Sequence, residues 1–170
     1  MTAPLPALLG GTELLAWRID ARSFSATWDS GEGAYRFGGR WSSVGLRAVY
    51  CALDASTAIL EVAVHRGFKR MDTAPHSLTS LRILSPGDVH VVEAADIPNP
   101  NWLRSGLPSQ GQQAFGDALL KAHKFVLVPS VVSPDSWNLL FIAAQAVGAY
   151  AMRSQEAFAL DTRLQPPLEA

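Results

Sequence analysis

Residues 30–65, SGEGAYRFGGRWSSVGLRAVYCALDASTAILEVAVH, change character halfway along, from a glycine-rich half without a period to an apolar half with two periods. In RAVYCAL (47–53) alternation sets Ala48, Tyr50 and Ala52 on one face of a strand and Val49, Cys51 and Leu53 on the other. Tyr50 thus sits among small neighbours that leave its ring accessible for stacking. Asp54 and Ser56 are N-cap candidates for a helix over 55–66, whose alanines and length favour helix over strand. Ala55, Ala58, Ile59 and Val62 share one face of it, Thr57, Glu61 and His65 a second, and Leu60 and Val64 a third. Glu61 is the only charged residue between Asp54 and Arg66, and a carboxylate in so apolar a helix needs a reason.

The first half of the stretch reads as part of a nucleotide site. Gly31, Gly33, Gly38 and Gly39 make the backbone permissive, Arg36 and Arg40 are candidate anion ligands, and Trp41 adds a flat apolar surface. The familiar phosphate fingerprints nevertheless fail. Gly31-x-Gly33 is followed by Arg36 where a dinucleotide motif needs glycine, and Gly39 stands where a P-loop needs lysine. Residues 21–45 are expected to form a long irregular loop, a kind of segment often functional in compact domains.

Outward from this stretch, 12–19 (TELLAWRI) reads as a strand with Arg18 pointing out of the sheet's end. Strands are expected at 77–84 and 88–93, joined by the turn Ser85-Pro86-Gly87, then a loop over 96–111 and a helix over 110–122. A strand follows in KFVLVPSVV, residues 137–148 are ambiguous between strand and helix, and the last strand is expected within 155–163, before Pro166-Pro167.

The 170 residues suit a single domain, 1–170, with its core at about 14–164. Fourteen Lys+Arg against 15 Asp+Glu leave a net charge of -1, with no electrostatic footprint for nucleic acid or an acidic membrane. Cys51 alone allows no internal disulfide and reads as a small packed residue. MTAPLPALLGG lacks a basic n-region and does not fit a signal peptide, and no apolar run approaches the roughly 20 residues of a membrane span. The expectation is a soluble, cytoplasmic protein. His65, His76, His90 and His123 lack metal-ligand spacing, so no metal is expected, and no serine lies in a G-x-S-x-G elbow.

WRI (17–19), GEGAYRFGGRWSSVG (31–45), AVYCA (48–52), AILEVAVH (58–65) and VPSVV (128–132) together resemble the RES domain family, from about Leu14 to Leu164. The resemblance implies a mixed α/β (α+β), ADP-ribosyltransferase-like fold of small twisted sheets flanked by helices. It implies a toxin of a toxin-antitoxin pair that consumes NAD as substrate, by hydrolysis, phosphorolysis or transfer of ADP-ribose to a protein. It implies as partner a helix-turn-helix antitoxin of the Xre type covering the active site. The pocket carried over is Arg18, Arg40, Tyr50, Glu61 and Ser130. Three positions depart from the family pattern: Ser42 replaces an asparagine, and Phe141-Ile142 replaces Asn-Pro.

These residue types suit that chemistry. Breaking the nicotinamide–ribose bond develops positive charge on the sugar, which the carboxylate of Glu61 would stabilise. Arg18 and Arg40 would neutralise and orient the pyrophosphate, Tyr50 would face the nicotinamide, and Ser130 would make one hydrogen bond to the ligand. Structural rivals exist for each. Arg18 could pair with Asp20 or Asp29, Arg40 could stack on Trp41, and Tyr50 could be a core aromatic. Glu61 could pair with His65, and Ser130 could be a turn residue. A non-catalytic nucleotide- or partner-binding module is the remaining alternative.

Overall fold

The computed structural model describes residues 13–67, 71, 73–104, 106 and 108–161; the opening segment and the Pro166-Pro167 tail lie outside the described residues. The first strand, β1 (Leu14–Ala21), extends two residues past the apolar run that announced it. Arg18 therefore lies within the strand, opposite Thr79 of the next one, and not at the sheet's end.

The expected irregular loop of 21–45 contains a 3-10 turn at Arg22–Thr27 and a short helix, α1 (Glu32–Phe37). Gly31 and Gly38 bound α1 at φ 62° and 69°, left-handed values that other residues adopt only with strain. Glu32 accepts from Arg36 Nε at 2.6 Å and Arg47 Nη1 at 2.5 Å, and the Arg47 guanidinium lies 4.4 Å from the Tyr35 ring centre. Ion pairs and stacking hold this helix where periodicity is silent. Arg36 is thereby committed to Glu32.

Further along come β2 (Val49–Ala52), α2 (Ala55–Arg66), β3 (His76–Ile83), β4 (Val89–Val91) and α3 (Gln110–Ala122). β5 (Phe125–Pro129), β6 (Trp137–Phe141) and β7 (Tyr150–Phe158) complete the order. Both longer helices form where spacing placed them, each with a side-chain cap. Asp54 accepts from the Thr57 N–H at 2.7 Å, and Ser109 from the Gln112 N–H at 3.2 Å. The ambiguous 137–148 resolves into β6 and a 3-10 turn at Ala143–Gln145, and the last strand begins at Tyr150, earlier than expected.

Among the described residues the strands form one sheet, ordered β4-β5-β6-β2-β1-β3-β7, antiparallel except for the parallel pair β4–β5. The strands flanking Ser85-Pro86-Gly87 do not pair with each other. Both edges of β3 are taken, by β1 and β7, so β4 finds its partner at the opposite end of the sheet. The mixed α/β class is as expected.

The sheet is nearly two. β2 and β1 meet at a single register pair, Trp17 opposite Ala52, which is all that joins β4-β5-β6-β2 to β1-β3-β7 in the strand ladder. One face buries Val49, Cys51, Leu127, Leu139 and Phe141. The other buries Ala48, Val126, Leu140 and Trp41, with Tyr50 packed beside them, which is the alternation read for 47–53. Phe141 lies in the first of these cores, so its departure from the family pattern falls on the face away from Tyr50. The Cys51 thiol is buried and pushed up to about 12, as desolvation of a packing residue requires.

α3 approaches the Trp41 backbone through Gly116, where an added Cβ would stand 2.1 Å from the Trp41 carbonyl oxygen. On an exposed helix Gly→Ala gains about 1 kcal/mol. Here the backbone contact reverses the sign, and Gly116→Ala should lower stability by about 1–3 kcal/mol in denaturant unfolding.

Candidate active site

Residues of β1 and β2 near their junction line a cleft of about 420 Å³, with Arg18, Arg40, Tyr50, Glu61, His65 and Asn138 among its lining. The six side chains arrive from five parts of the fold. β1 carries Arg18, β2 carries Tyr50, α2 carries Glu61 and His65, β6 carries Asn138, and the segment after α1 carries Arg40.

Arg18 is paired as its structural rival required, and it faces the cleft as well. Its Nε and Nη2 donate to the Asp20 carboxylate at 2.8 and 2.7 Å, and its Nη1 donates to the Tyr50 carbonyl at 2.9 Å. Asp20 is only 6% exposed. The guanidinium therefore ties β1 to β2 just beyond their single register pair, with its charge largely neutralised. Arg40 is different. Its Nη1 donates to the Trp102 and Arg104 carbonyls at 2.9 and 3.2 Å, and among the described residues no carboxylate pairs with it. Nε and Nη2 remain as a free fork suited to an anion. Trp41 does not serve as its stacking platform, being buried against Trp102 and Phe115.

Tyr50 presents its ring to the cleft while its hydroxyl is withdrawn into the protein. Burial pushes that phenol up to about 12, against the opposing pull of Ser42. The oxygen accepts from the Trp41 N–H at 3.1 Å and shares a 2.8 Å hydrogen bond with Ser42 Oγ. Ser42, short where the family pattern has asparagine, thus serves to anchor Tyr50. An added Cβ at Gly39 would lie 2.5 Å from the same hydroxyl, so a side chain there would displace the ring.

Glu61 is the best-held group in the cleft. Its Oε1 accepts from Asn138 Nδ2 at 2.5 Å and from Ser130 Oγ at 3.0 Å, and His65 Nε2 lies 3.5 Å from Oε2. Burial alone would raise the carboxyl's pKa, yet the contacts from His65, Asn138 and Ser130 outweigh it and the net shift is downward. The contact with His65 and the cleft position coexist, because the two oxygens have separate partners. Ser130 is fully buried, donates to Glu61 and accepts from the Ser133 N–H at 3.1 Å. It lies behind the carboxylate, while Arg18, Arg40, Tyr50 and Glu61 face the cleft directly.

Sequence reasoning passed over Asn138 as a site residue, although a lone amide in the apolar run WNLLF is a usable signal. Asp20 entered only as a rival explanation for Arg18. Among the described residues no group of three or more His, Cys, Asp or Glu side chains could hold a metal ion, and no helix is long and apolar enough to cross a membrane.

Two arginines, one paired with a carboxylate and one not paired with any among the described residues, and one hydrogen-bonded carboxylate line a cleft whose chemistry suits a polar, anionic ligand. The RES domain model matches residues 15–162, and the chain belongs to that family. It is 36% identical over 135 residues to a "Prs ADP-ribosylating toxin" of Sphingobium sp., covering 73% of this chain and 79% of the relative. It is 32% identical to a "Toxin Res" of Pseudomonas putida, over 89% of this chain and 99% of that protein. Among solved structures, a chain of the M. tuberculosis MbcT-MbcA toxin-antitoxin complex superposes with a TM-score of 0.61 at 24% identity, covering 86% of this chain and 85% of the other. That likeness establishes the shared fold.

The lowered carboxyl of Glu61 has a companion in Asp54, where burial is outweighed by hydrogen bonds from Ser136 and Thr57. Both groups bind protons less tightly folded than unfolded, so their stabilisation is complete above the unfolded pKa and is lost as pH falls through the folded one. Thermal midpoints should fall on acidification below about pH 4.5, the ordinary glutamate value, and less steeply for Glu61→Gln than for wild type. Equal acid slopes would exclude Glu61 as a contributor.

Proposed function

We propose that the chain is the toxin of a toxin-antitoxin pair and an enzyme that cleaves the nicotinamide–ribose bond of NAD, as a glycohydrolase or phosphorylase. One observation carries this reading: Glu61 is held as an anion through Oε1, leaving Oε2 available at the cleft. A fixed negative charge is what an oxocarbenium-like sugar needs, and in a partly desolvated site it acts more strongly than in water. Arg40, with no carboxylate partner among the described residues, neutralises the pyrophosphate. Arg18, already balanced by Asp20, acts as an oriented donor. The Tyr50 ring is the surface for the nicotinamide, and NAD is substrate, with no metal required.

A second reading keeps the same bond cleavage and makes the acceptor a protein, so that the chain is a mono-ADP-ribosyltransferase. The name of the Sphingobium relative favours it. In both readings the partner is a helix-turn-helix antitoxin of the Xre type that covers the cleft, in the cytoplasm. Phe37 supports this: it lines the cleft yet is 82% exposed, as an apolar side chain waiting for a protein surface would be.

The purified chain incubated with NAD should release nicotinamide, with or without phosphate. Glu61→Gln should lower kcat by about 10²- to 10³-fold. Arg40→Ala should act mainly on KM, raising it by about 10- to 100-fold through loss of a charge-assisted contact. Release by wild type no faster than by Glu61→Gln would sink hydrolysis and phosphorolysis together. Label passing from NAD to a protein of a cell extract, without free ADP-ribose, would select the second reading. Growth arrest that persists with Arg18→Ala would point to the non-catalytic module.

A further inference from the structure

Asn138 interrupts the apolar run of β6. Trp137, Leu139 and Phe141 belong to one core, while Asn138 faces the cleft on the other side. Its Nδ2 donates to Glu61 Oε1, the same oxygen that accepts from Ser130. A carboxylate only accepts, so the orientation of the amide is chemically fixed: Nδ2 faces Glu61 and Oδ1 turns away. Oδ1 takes no hydrogen bond among the described residues and is not one of the buried orphan polar atoms. Among the described residues the amide's hydrogen bond goes to Glu61 alone.

This arrangement divides the labour of the two carboxylate oxygens. Among the described residues Oε1 holds two donors, whereas Oε2 has the well-exposed His65 at 3.5 Å. A glutamate on a helix face has several rotamers within reach, and water or His65 would hold it equally well outside the cleft. Ser130 alone leaves Oε1 with one donor, about which the carboxylate can turn. Two donors from β6 and the segment after β5 pin the group at one orientation.

We infer that Asn138 is a positioning residue that pins Oε1 of Glu61, so that Oε2 is the oxygen presented to the reacting sugar. The inference rests on the NAD-cleaving reading for its kinetic consequence, but its structural half can be tested without it.

Asn138→Leu and the isosteric Asn138→Asp are compared with wild type, after circular dichroism and thermal melting to establish folding. The Glu61 carboxyl is followed by carbon-13 NMR titration, its resonance assigned by its loss in Glu61→Gln. A His65→Gln background removes the imidazole contact at Oε2. Asn138→Leu should move the Glu61 titration upward, and Asn138→Asp should give a two-step titration of a pair sharing one proton. In nicotinamide release, Asn138→Leu should lower kcat by about 10²-fold with KM little changed, as expected for misplacement of a reacting group. For Asn138→Asp the defect should shrink between about pH 8 and about pH 5.5, because the singly protonated pair regains a donor to Glu61. A purely structural role would not produce that reversal. An unchanged Glu61 titration in the folded variants, or an effect confined to KM, overturns the inference. If wild type releases no nicotinamide, the functional reading falls while the titration still decides the role of Asn138.

Discussion

A carboxylate on an otherwise apolar helix stays charged only if the rest of the fold supplies donors to it, and the hydrogen bonds to Glu61 meet that condition. Ser130 and Asn138 lie 69 and 77 residues away in the chain, so the site exists only once β5 and β6 have packed beside β2 and α2. Removing one donor leaves a half-buried charge undercompensated, which costs more than the bond itself contributed. The placement of α2 against the sheet, its capping by Asp54 and the link from Asp54 to Ser136 all serve to hold Glu61 over that pair of donors.

The arginines show how neighbours, and not residue type, set what a side chain offers. Arg18 and Arg40 carry the same charge, yet among the described residues a buried carboxylate meets the first and carbonyl oxygens meet the second. The cleft therefore has a strong positive end at Arg40 and a neutralised, directional donor at Arg18. Such an arrangement suits the proposed ligand, whose charges are separated along its length.

What was legible in the sequence was local. The faces of β2, the span of α2 and its Asp54 cap, and the span of α3 follow from spacing and capping chemistry that act within a few residues. The order of the sheet was not legible, because the destination of β4 depends on β3 having both edges filled by strands distant in sequence. α1 escaped notice because Glu32, Arg36 and Arg47 hold it through ion pairs that have no hydrophobic period. At the site, Glu61 stood out as a charge in an apolar helix, and Arg18 carried its partner Asp20 two residues away. Ser130 and Asn138 are a serine after a proline and an amide in a strand until the fold brings both to one oxygen.

The dependence of Glu61 on Asn138 also orders events in time. The helix bearing the carboxylate leaves the ribosome well before the strand that secures it, and β2 cannot fill its second edge until β6 has been made. A nascent or truncated chain ending before residue 138 carries both arginines of the cleft, the carboxylate and Ser130, but not the second donor to Oε1. The donor pair at Glu61 is thus complete only late in synthesis, with β7 alone among the described strands still to follow.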